Sequence, residues 1–503
     1  MTSEAQFTGK TDAGSAKKTA GQSVLDSVLE SMLHIKPRQN FLTTAQVQAM
    51  HEATLSVMER TGLKVTHEKA KEILSSYGCS IEDDRVRLPG HVVEEALSTV
   101  PSQVSFFDRS RKNQVILKDT DTWYGPTLDA FDYLDPDTGQ RRPFTLKDCK
   151  TTSILADALD NFSWVMTIGV CSDAPAAISD RLIAKQALTN CSKPLLFCCN
   201  SIEAMKDIYE MGVIIAGDEE RLINAPNIIG FQAPISPLTY NDDLIDRLLF
   251  AADKGLPQVC YSGPQAGSTS PATFAGTVIQ GSAESLFGIV LAQMVNPGAP
   301  FIYGAFATIM DMNTTIFSYG APEMNIMSSA MAQLAHYYNI PFFGTSGCSD
   351  AKLPDSQAAV EATFSCLTSA MSGANMVHDN GWLDHSNLIS PEYMLLIDEV
   401  IERVNRYMRG IWMDEEHLAL DVIDKVGPGG HYLMEKHTMD HFRDVWYSKL
   451  FDRTTLSTWT SRGSKQFNER LKDLTLKTII EHKPEPLPEQ IYKELGRMAA
   501  NWV

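Results

Sequence analysis

The sequence predicts an α/β protein, a (βα)8 TIM barrel with a helical and β-rich extension before it and a helical cap after it. Short apolar runs recur along the chain, and each is followed by a segment with helical periodicity. Successive runs begin about 30 to 43 residues apart, the length of one β/α unit. Several begin near a proline and end in glycine, as buried parallel strands do. The runs begin at Ser163, Pro194, Asn227, Pro257, Pro300, Ile340 and Ala374.

One further strand upstream would complete the barrel. The same alternation of strands and helices also allows a doubly wound open sheet. No GxGxxG motif opens the first strand-to-helix turn, which weakens the dinucleotide-binding version of that alternative.

Changes in composition predict four regions. Residues 1–22 are rich in Thr, Ser, Gly, Ala and Lys, which predicts a disordered tail. Residues 23–145 contain amphipathic helices, the first with Thr43 or Thr44 as its N-cap, and a β-like stretch that ends in the turn sequence DPDTG. The barrel core is assigned to 146–395. The helical region 396–503, interrupted by GPGG, is expected to form a cap or an oligomer contact.

Composition narrows the function. The formal net charge of -19 argues against nucleic acid as a partner, because phosphate binding needs basic clusters. The sequence contains no run of about 18 consecutive apolar residues and starts without an apolar signal core, so we expect a cytoplasmic protein without a membrane partner. The nine cysteines form no CxxC pair, which predicts reduced thiols rather than disulfides or a cysteine-rich zinc site.

Catalytic residues of a barrel lie at the carboxyl ends of its strands. The predicted strand ends are poor in clustered carboxylates, which argues against glycoside hydrolysis, and no HExxH motif indicates a metal centre. They are rich in aromatic and amide side chains, which suit a bound organic cation. Any one ring, taken alone, is better explained by core packing. The predicted substrate-binding residues are Trp123, Tyr124, Phe231, Gln232, Tyr261, Phe306, Phe343, Cys348 and Trp382.

The predicted catalytic residues are His378 and Asn200. His378 either faces the barrel mouth and orients the substrate or the incoming cofactor, or is a buried, hydrogen-bonded core histidine. Strand alternation predicts that His378 and its neighbour Asp379 point to opposite sides, so they need not form a pair. Cys348 could act as a nucleophile, but the sequence indicates no positioned base for it.

Several segments together resemble the trimethylamine methyltransferase family, over about residues 40 to 495. They include FQAPISPLTYNDDL, GLPQVCYSGPQAGSTSPATFAGT, ESLFGIVLAQMVNPGAPFIYGAF, YGAPEMNIMSSAMAQLAHYYNIP, GCSDAKLPDSQAAVEATFSCLTSAMSGANMVHDNGWLD, DVIDKVGPGGHYL and HTMDHFR. The best-known members of that family demethylate trimethylamine and use pyrrolysine. This chain has only standard residues and so resembles the non-pyrrolysine branch. We expect the pyrrolysine position to correspond to the GTSGCSDAK region.

The resemblance implies a quaternary amine:corrinoid methyltransferase. Glycine betaine is the simplest substrate of the branch, and proline betaine, carnitine and γ-butyrobetaine are alternatives. The methyl acceptor would be the Co(I) corrinoid (cobalamin) of a separate protein, and a second methyltransferase would pass the methyl group to tetrahydrofolate or coenzyme M. The sequence lacks the DxHxxG cobalamin signature, so no tightly bound cofactor is expected. Other readings are a non-catalytic paralogue that binds quaternary amines and a barrel enzyme with a different acceptor, such as a folate. A homo-oligomer is also expected.

Overall fold

A closed barrel of eight parallel strands forms the centre of the protein. The computed structural model describes residues 34–502, so the predicted tail at 1–22 lies outside the described residues. The strands, numbered along the chain, are β1 Trp123–Pro126, β2 Val165–Met166, β3 Leu195–Phe197, β4 Ile228–Gln232, β5 Gln258–Ser262, β6 Phe301–Ala305, β7 Phe342–Thr345 and β8 Met376–Asn380.

The strand order follows the sequence from β2 to β8, and β8 then pairs with β1. The ring closes where the N–H of Ser163 donates to the carbonyl of Tyr124, at 2.7 Å, just before β2 begins. The barrel prediction is therefore confirmed, and the open-sheet alternative is wrong. All seven predicted runs contain strands. The remaining strand is β1, Trp123–Pro126. The barrel therefore begins before residue 146, the start predicted from the sequence.

A helix follows each strand. These helices are α1 Leu146–Ala158, α2 Ser179–Asn190, α3 Ile202–Ala216, α4 Asp242–Lys254, α5 Phe274–Val295, α6 Pro322–Tyr338, α7 Ser356–Ser372 and α8 Pro391–Met408. Helix α4 shows how local sequence sets the boundaries. Asn241 caps it by accepting from the N–H of Leu244, and Gly255 ends it in the left-handed conformation.

Helix α5 is the central helix of the layer outside the barrel. It packs on β5 and β6 on one side and on the helices Thr44–Ser56 and Gly90–Thr99 of the extension on the other. A helix that is apolar on all faces needs such a two-sided core. Among the described residues it is the one helix long and apolar enough to cross a membrane. However, 89% of its most apolar 18-residue stretch is buried within the protein.

The extension covers one side and the amino end of the barrel. Thr43 is the N-cap of its first helix and forms a capping box with Gln46, as predicted. A hairpin of Val104–Phe107 and Gln114–Leu117 brings Phe106 edge-on to Trp164, with ring centroids 6.3 Å apart. The other extension elements are a π-helical turn Val57–Thr61, strands Leu63–Val65, Ser80–Glu82 and Arg85–Arg87, and helix Glu68–Ser76.

The C-terminal region divides between two compact units. In the barrel unit, Phe467–Glu481 packs on α1, and Glu489–Ala499 packs on α2 and α3, so these helices cover the helical layer. The second unit comprises the described residues up to Pro37 together with Arg406–Trp446. Its elements are paired strands His34–Ile35 and Ile411–Trp412 and helices Glu415–Leu418, Leu420–Val426 and Lys436–His441.

Candidate functional site

Loops at the carboxyl end of the barrel build two small sheets beside the mouth. The first contains strands Trp382–Leu383, Leu388–Ile389, Asp132–Leu134 and Arg141–Pro143, from the loops after β8 and β1. The second contains strands Gln265–Ala266, Thr308–Asp311 and Ile316–Phe317, from the loops after β5 and β6. Hydrogen-bonded loops of this kind hold side chains in fixed positions, as a binding site requires.

Four rings from the strands meet inside the mouth. We call them the strand cluster: Phe231 of β4, Tyr261 of β5, Phe343 of β7 and His378 of β8. The imidazole of His378 stacks on Phe343, with centroids 4.2 Å apart and planes at 22°. Tyr261 meets both rings edge-on, at 5.2 Å from Phe343 and 4.8 Å from His378. Its hydroxyl is hydrogen-bonded to the hydroxyl of Thr345.

The strand cluster depends on a glycine in β6. A Cβ on Gly304 would lie 2.8 Å from the carbonyl oxygen of Phe343 and 3.1 Å from Cδ2 of Tyr261. The first distance is shorter than the contacts that Cβ atoms make in proteins, and the second would require the ring of Tyr261 to shift, so glycine lets β6 pack closely against both residues.

A second group of rings comes from the loops. We call it the loop cluster: Phe306, Phe317, Tyr319 and Trp382. Phe306 and Tyr319 stack with centroids 4.5 Å apart, and Tyr319 lies 5.7 Å from Trp382. Phe306 and Trp382 were predicted as site residues from the sequence, whereas Phe317 and Tyr319, which follow no barrel strand directly, were not.

Asp379 lies close to both clusters. Burial is the main cause that raises the pKa of Tyr261 and of Tyr319 well above the usual value, and in both cases the carboxylate of Asp379 is the next cause. Both phenols therefore stay protonated near neutral pH.

The prediction that His378 and Asp379 point apart is wrong. His378 Nδ1 lies 2.7 Å from Asp379 Oδ1. Asp379 has φ of 70°, in the left-handed region, and the pairing of β8 with β1 shifts register between Val377 and Asn380. Alternation fails at such a bulge. Asn380 anchors the distorted strand, because its Nδ2 donates to the carbonyl of Gly125 at 2.7 Å.

This pair is buried, yet its polar atoms make no hydrogen bond. His378 is 1% exposed and Asp379 is 0% exposed. Among the described residues, neither ring nitrogen and neither carboxylate oxygen has a hydrogen-bond partner, since the short Nδ1–Oδ1 contact is not aligned for one. The indole Nε1 of Trp382 is also buried without a partner. Buried polar groups are nearly always paired, so three such groups in one segment indicate a ligand site. His378 is therefore not a hydrogen-bonded core histidine.

Three predicted site residues lie away from the two clusters. The indole of Trp123 is at the amino end of β1, where Nε1 donates to the carbonyl of Ile116. The hydroxyl of Tyr124 donates to the carbonyl of Cys366 on α7. The side chain of Gln232 donates to Gln258, which in turn donates to Leu248 on α4, so it lies between strand and helix.

Asn200 and Cys348 occupy polar loops and the core, respectively. Asn200 is exposed, and its backbone N–H donates to Asp180 at 2.7 Å. Cys348 is fully buried, and burial, followed by the charges of Asp379 and Asp350, raises the pKa of its thiol well above the usual value. A thiol held protonated in this way is a poor nucleophile.

Two further acids lie near the mouth. Glu284 of α5 accepts from Ser236 Oγ at 2.6 Å and from the N–H of Leu238 at 2.9 Å, which fixes the loop after β4. Burial raises the pKa of Glu284, and these hydrogen bonds oppose the shift. Asp129, in the loop after β1, is half-buried, and burial together with the charge of Asp180 raises its pKa to about 7.

The fold and the site define a barrel enzyme whose mouth combines aromatic rings with a buried carboxylate. The chain belongs to the trimethylamine methyltransferase (MTTB) family, whose sequence profile matches residues 9–501. The resemblance noted in the sequence is thereby confirmed, and the chain is a methyltransferase.

Similar proteins cover nearly the whole chain. A glycine betaine methyltransferase from Desulfitobacterium hafniense (strain Y51) is 33% identical over 431 residues, 85% of this chain and 90% of the relative. Trimethylamine methyltransferase MttB from D. hafniense (strain DSM 10664 / DCB-2) is 31% identical over 448 residues, 89% of this chain and 90% of the relative. MttB from Methanosarcina thermophila is 28% identical over 473 residues, 91% and 96% respectively.

Proposed function

We propose that the chain demethylates a small quaternary amine that carries a carboxylate, with glycine betaine as the leading substrate, and transfers the methyl group to the Co(I) corrinoid of a separate protein. One observation carries the proposal. A buried carboxylate and two buried N–H-bearing rings, all without hydrogen-bond partners among the described residues, adjoin two aromatic clusters.

The ammonium end of the substrate would lie against the rings and Asp379. A methylated ammonium group cannot donate a hydrogen bond, so aromatic faces and a carboxylate are the groups that can attract it. Each well-placed ring contributes about 0.5 to 2 kcal/mol. Tyr261 and Tyr319, whose phenols stay neutral, lie near the carboxylate, and Phe343 packs on Tyr261.

The carboxylate end would bind His378 and Trp382. His378 offers a buried ring nitrogen, Nε2, and Trp382 offers a buried indole N–H, and neither has a hydrogen-bond partner among the described residues. The substrate carboxylate would accept hydrogen bonds from these two rings while the ammonium group lies beside Asp379. An amine without a carboxylate would leave both donors unpaired, and each unpaired buried donor costs about 1 to 3 kcal/mol.

The main role of the protein in this reaction would be to align a methyl group of the substrate with the cobalt. The electron pair of Co(I) attacks the methyl carbon, the C–N bond breaks, and its electron pair returns to nitrogen. Because the nitrogen is already positively charged, the amine leaves neutral and needs no general acid. A rigid, dry pocket that points one methyl group toward the mouth supplies the orientation.

We also propose that the corrinoid is brought by a partner and that the chain acts in the cytoplasm. All nine cysteines are free thiols, which suits a reducing compartment. The same compartment would favour the strongly reducing Co(I) state of the acceptor.

The test mixes the purified chain with a small corrinoid protein, reconstituted with hydroxocobalamin and reduced to Co(I) with titanium(III) citrate, and follows methyl-Co(III) formation by absorbance. We expect turnover with glycine betaine. Proline betaine, carnitine, γ-butyrobetaine and choline are assayed in the same way for comparison. No methyl-Co(III) with any quaternary amine would refute the proposal, and betaine binding without transfer would identify a non-catalytic binding protein.

A pair of tryptophan variants tests the carboxylate anchor. Trp382→Phe removes one donor of the site and should lower kcat/KM for glycine betaine about tenfold while changing that for choline much less. Trp123→Phe is the matched control. It also removes an indole N–H, but at the amino end of the barrel, and should change neither value. Equal losses for both substrates in Trp382→Phe would show that the indole N–H does not bind the carboxylate.

A further inference from the structure

A carboxylate in the loop after β7 binds the segment that carries Tyr319. Asp350 Oδ1 accepts from the backbone N–H of Tyr319 at 2.8 Å. Its Oδ2 accepts from the N–H of Gly320 at 3.1 Å and from the hydroxyl of Ser318. One side chain thereby binds three consecutive residues of the loop after β6. Hydrogen bonds to a carboxylate are stronger than those to a neutral acceptor, so this attachment fixes the segment.

The attached segment lies outside the hairpin that precedes it. The strand pairing of the hairpin ends at Phe317, and the backbone N–H groups of the segment donate to Asp350 instead. Tyr319 nevertheless has a defined place in the loop cluster, where it stacks on Phe306 and lies 5.7 Å from Trp382. The hydrogen bond to its backbone N–H therefore fixes the chain at the residue that carries the ring.

Asp350 is itself held in place from α7. Glu361 accepts from the N–H of Asp350 at 3.0 Å and from the hydroxyl of Ser349. Gly320 packs against the same glutamate, because a Cβ at Gly320 would lie 2.4 Å from Glu361 Cδ. A larger residue at this position would displace the segment. Helix α7 therefore supports both partners of the attachment.

The loop after β8 meets the same carboxylate. His385 Nδ1 lies 2.9 Å from Asp350 Oδ1, and its imidazole is edge-on to Phe317 with ring centroids 6.3 Å apart. The backbone N–H of Ser349 donates to the carbonyl of Trp382 at 3.0 Å. The loops after β6, β7 and β8 therefore meet at Asp350, and the first and third of them carry rings of the loop cluster.

We infer that Asp350 is a positioning residue for the substrate pocket, because it fixes Tyr319 within the loop cluster. This inference rests on the proposed function, in which the loop cluster adjoins the quaternary ammonium group. Asp350 acts through Tyr319 rather than on the substrate, since its oxygens already accept three hydrogen bonds from the loop. A displacement of about 1 Å in a group that positions the substrate can lower a rate about 100-fold, so a residue without substrate contact can control turnover.

A double-mutant cycle tests whether Asp350 acts through Tyr319. The wild type, Asp350→Asn, Tyr319→Ala and the double variant, all as full-length chains, are assayed for kcat/KM with glycine betaine and the reduced corrinoid protein. The amide of asparagine keeps the shape of the side chain but loses the negative charge and one acceptor oxygen. Chemical denaturation of each variant records its stability.

Asp108→Asn is the matched control. Asp108 also accepts from a serine hydroxyl, that of Ser110, and from two backbone N–H groups, those of Lys112 and Asn113. It lies in the hairpin of the extension that carries Phe106, so its hydrogen bonds fix a loop that contributes no ring to the loop cluster.

We expect Asp350→Asn to lower kcat/KM about tenfold or more in the wild-type background and by less than about twofold in the Tyr319→Ala background. The ring that Asp350 positions is absent from the second background, so it can no longer be misplaced. Asp108→Asn should change kcat/KM by less than about twofold in both backgrounds, although its stability falls. Equal losses from Asp350→Asn in both backgrounds would overturn the inference, and so would an unchanged kcat/KM in the wild-type background.

Ser318→Ala provides the same test if Asp350→Asn does not fold. This variant removes one of the three donors and leaves the carboxylate in place. We expect a loss of about threefold in kcat/KM, again absent in the Tyr319→Ala background. No loss, or the same loss in both backgrounds, would refute the action of Asp350 through Tyr319.

Failure of the proposed function would look different. If the wild type neither demethylates nor binds glycine betaine, that function is wrong, and hydrogen exchange then tests the attachment itself. The backbone amides of Tyr319 and Gly320 should exchange about tenfold faster in Asp350→Asn than in the wild type, and at the wild-type rate in Asp108→Asn. Unchanged exchange in Asp350→Asn would show that the carboxylate does not hold the segment.

Discussion

Replacing Asp379 with asparagine tests whether its carboxylate binds the substrate or stabilises the fold. The asparagine side chain has the same shape, so packing against the aromatic clusters is retained, while the negative charge beside His378 is lost. No hydrogen bond is broken, because neither carboxylate oxygen has a hydrogen-bond partner among the described residues. The variant therefore tests charge alone.

The size of the effect follows from Coulomb's law. Two unit charges about 4 Å apart attract by about 4 kcal/mol at an effective dielectric constant of about 20. The methyl groups keep the nitrogen farther away, and at about 5.5 Å the same relation gives about 3 kcal/mol, or roughly 100-fold in kcat/KM for a quaternary amine. The free energy of unfolding should change by less than about 1 kcal/mol, because the amide has the shape of the carboxylate and no hydrogen bond within the described residues is lost.

The assay combines methyl-Co(III) formation with chemical denaturation. Asp398→Asn is the matched control, since Asp398 is also buried but accepts from the backbone N–H of Asn161 at 2.9 Å on α8. The control should lose about 1 to 3 kcal/mol of stability and keep its kcat/KM. If Asp379→Asn instead behaves like the control, with lower stability and normal kcat/KM, the carboxylate belongs to the core and the reasoning fails.

Three other substitutions test the surrounding structure. Gly304→Ala should cost about 2 kcal/mol in chemical denaturation because its Cβ would lie 2.8 Å from the carbonyl oxygen of Phe343, whereas Gly263→Ala, with no atom within 4 Å, should be neutral; equal effects would contradict the packing argument. Asp129 has a folded-state pKa of about 7 against an ordinary 3.8, so the wild type should lose stability as pH rises from about 4 to 7. Three pKa units correspond to about 4 kcal/mol, and half-burial reduces this to about 2; Asp129→Asn should be more stable by that amount at pH 8 and equal at pH 3, and a flat difference would exclude the shifted pKa. Glu284→Ala should raise KM for the amine about tenfold by releasing the loop after β4, and Glu284→Gln should recover most of the loss; a normal KM in both would detach that loop from binding.

The barrel could be predicted because its strands recur with the period of a β/α unit. Seven runs carry that period plainly, but β1 does not, because its four residues WYGP stand between other short strands with the same local pattern. Only the hydrogen bonds from β1 to β8 distinguish it from the neighbouring hairpins. Pairing partners far apart in sequence leave no local signal.

The site was predicted in part, for a related reason. Phe231, Tyr261, Phe343 and His378 were predicted from the strand ends as site residues, and the structure brings their rings together. Gln232 lies outside the strand cluster because adjacent residues of a strand face opposite sides. A strand that is buried on both faces has no sequence pattern that shows which side faces the barrel interior. The contact between His378 and Asp379 requires a positive φ at Asp379. Tertiary structure imposes this conformation on a residue other than glycine, and the sequence carries no signal for it.

The division between strands and loops bears on how this enzyme could change its specificity. The rings that would contact the ammonium group belong to β4, β5, β7 and β8, whose positions the whole barrel fixes. The indole N–H of Trp382 belongs to a loop, and loops tolerate substitution without loss of the barrel. Binding of a methylated ammonium group would therefore be the stable property of this chain. Recognition of the acid group of the substrate would be the more variable property, because a loop provides the donor for it.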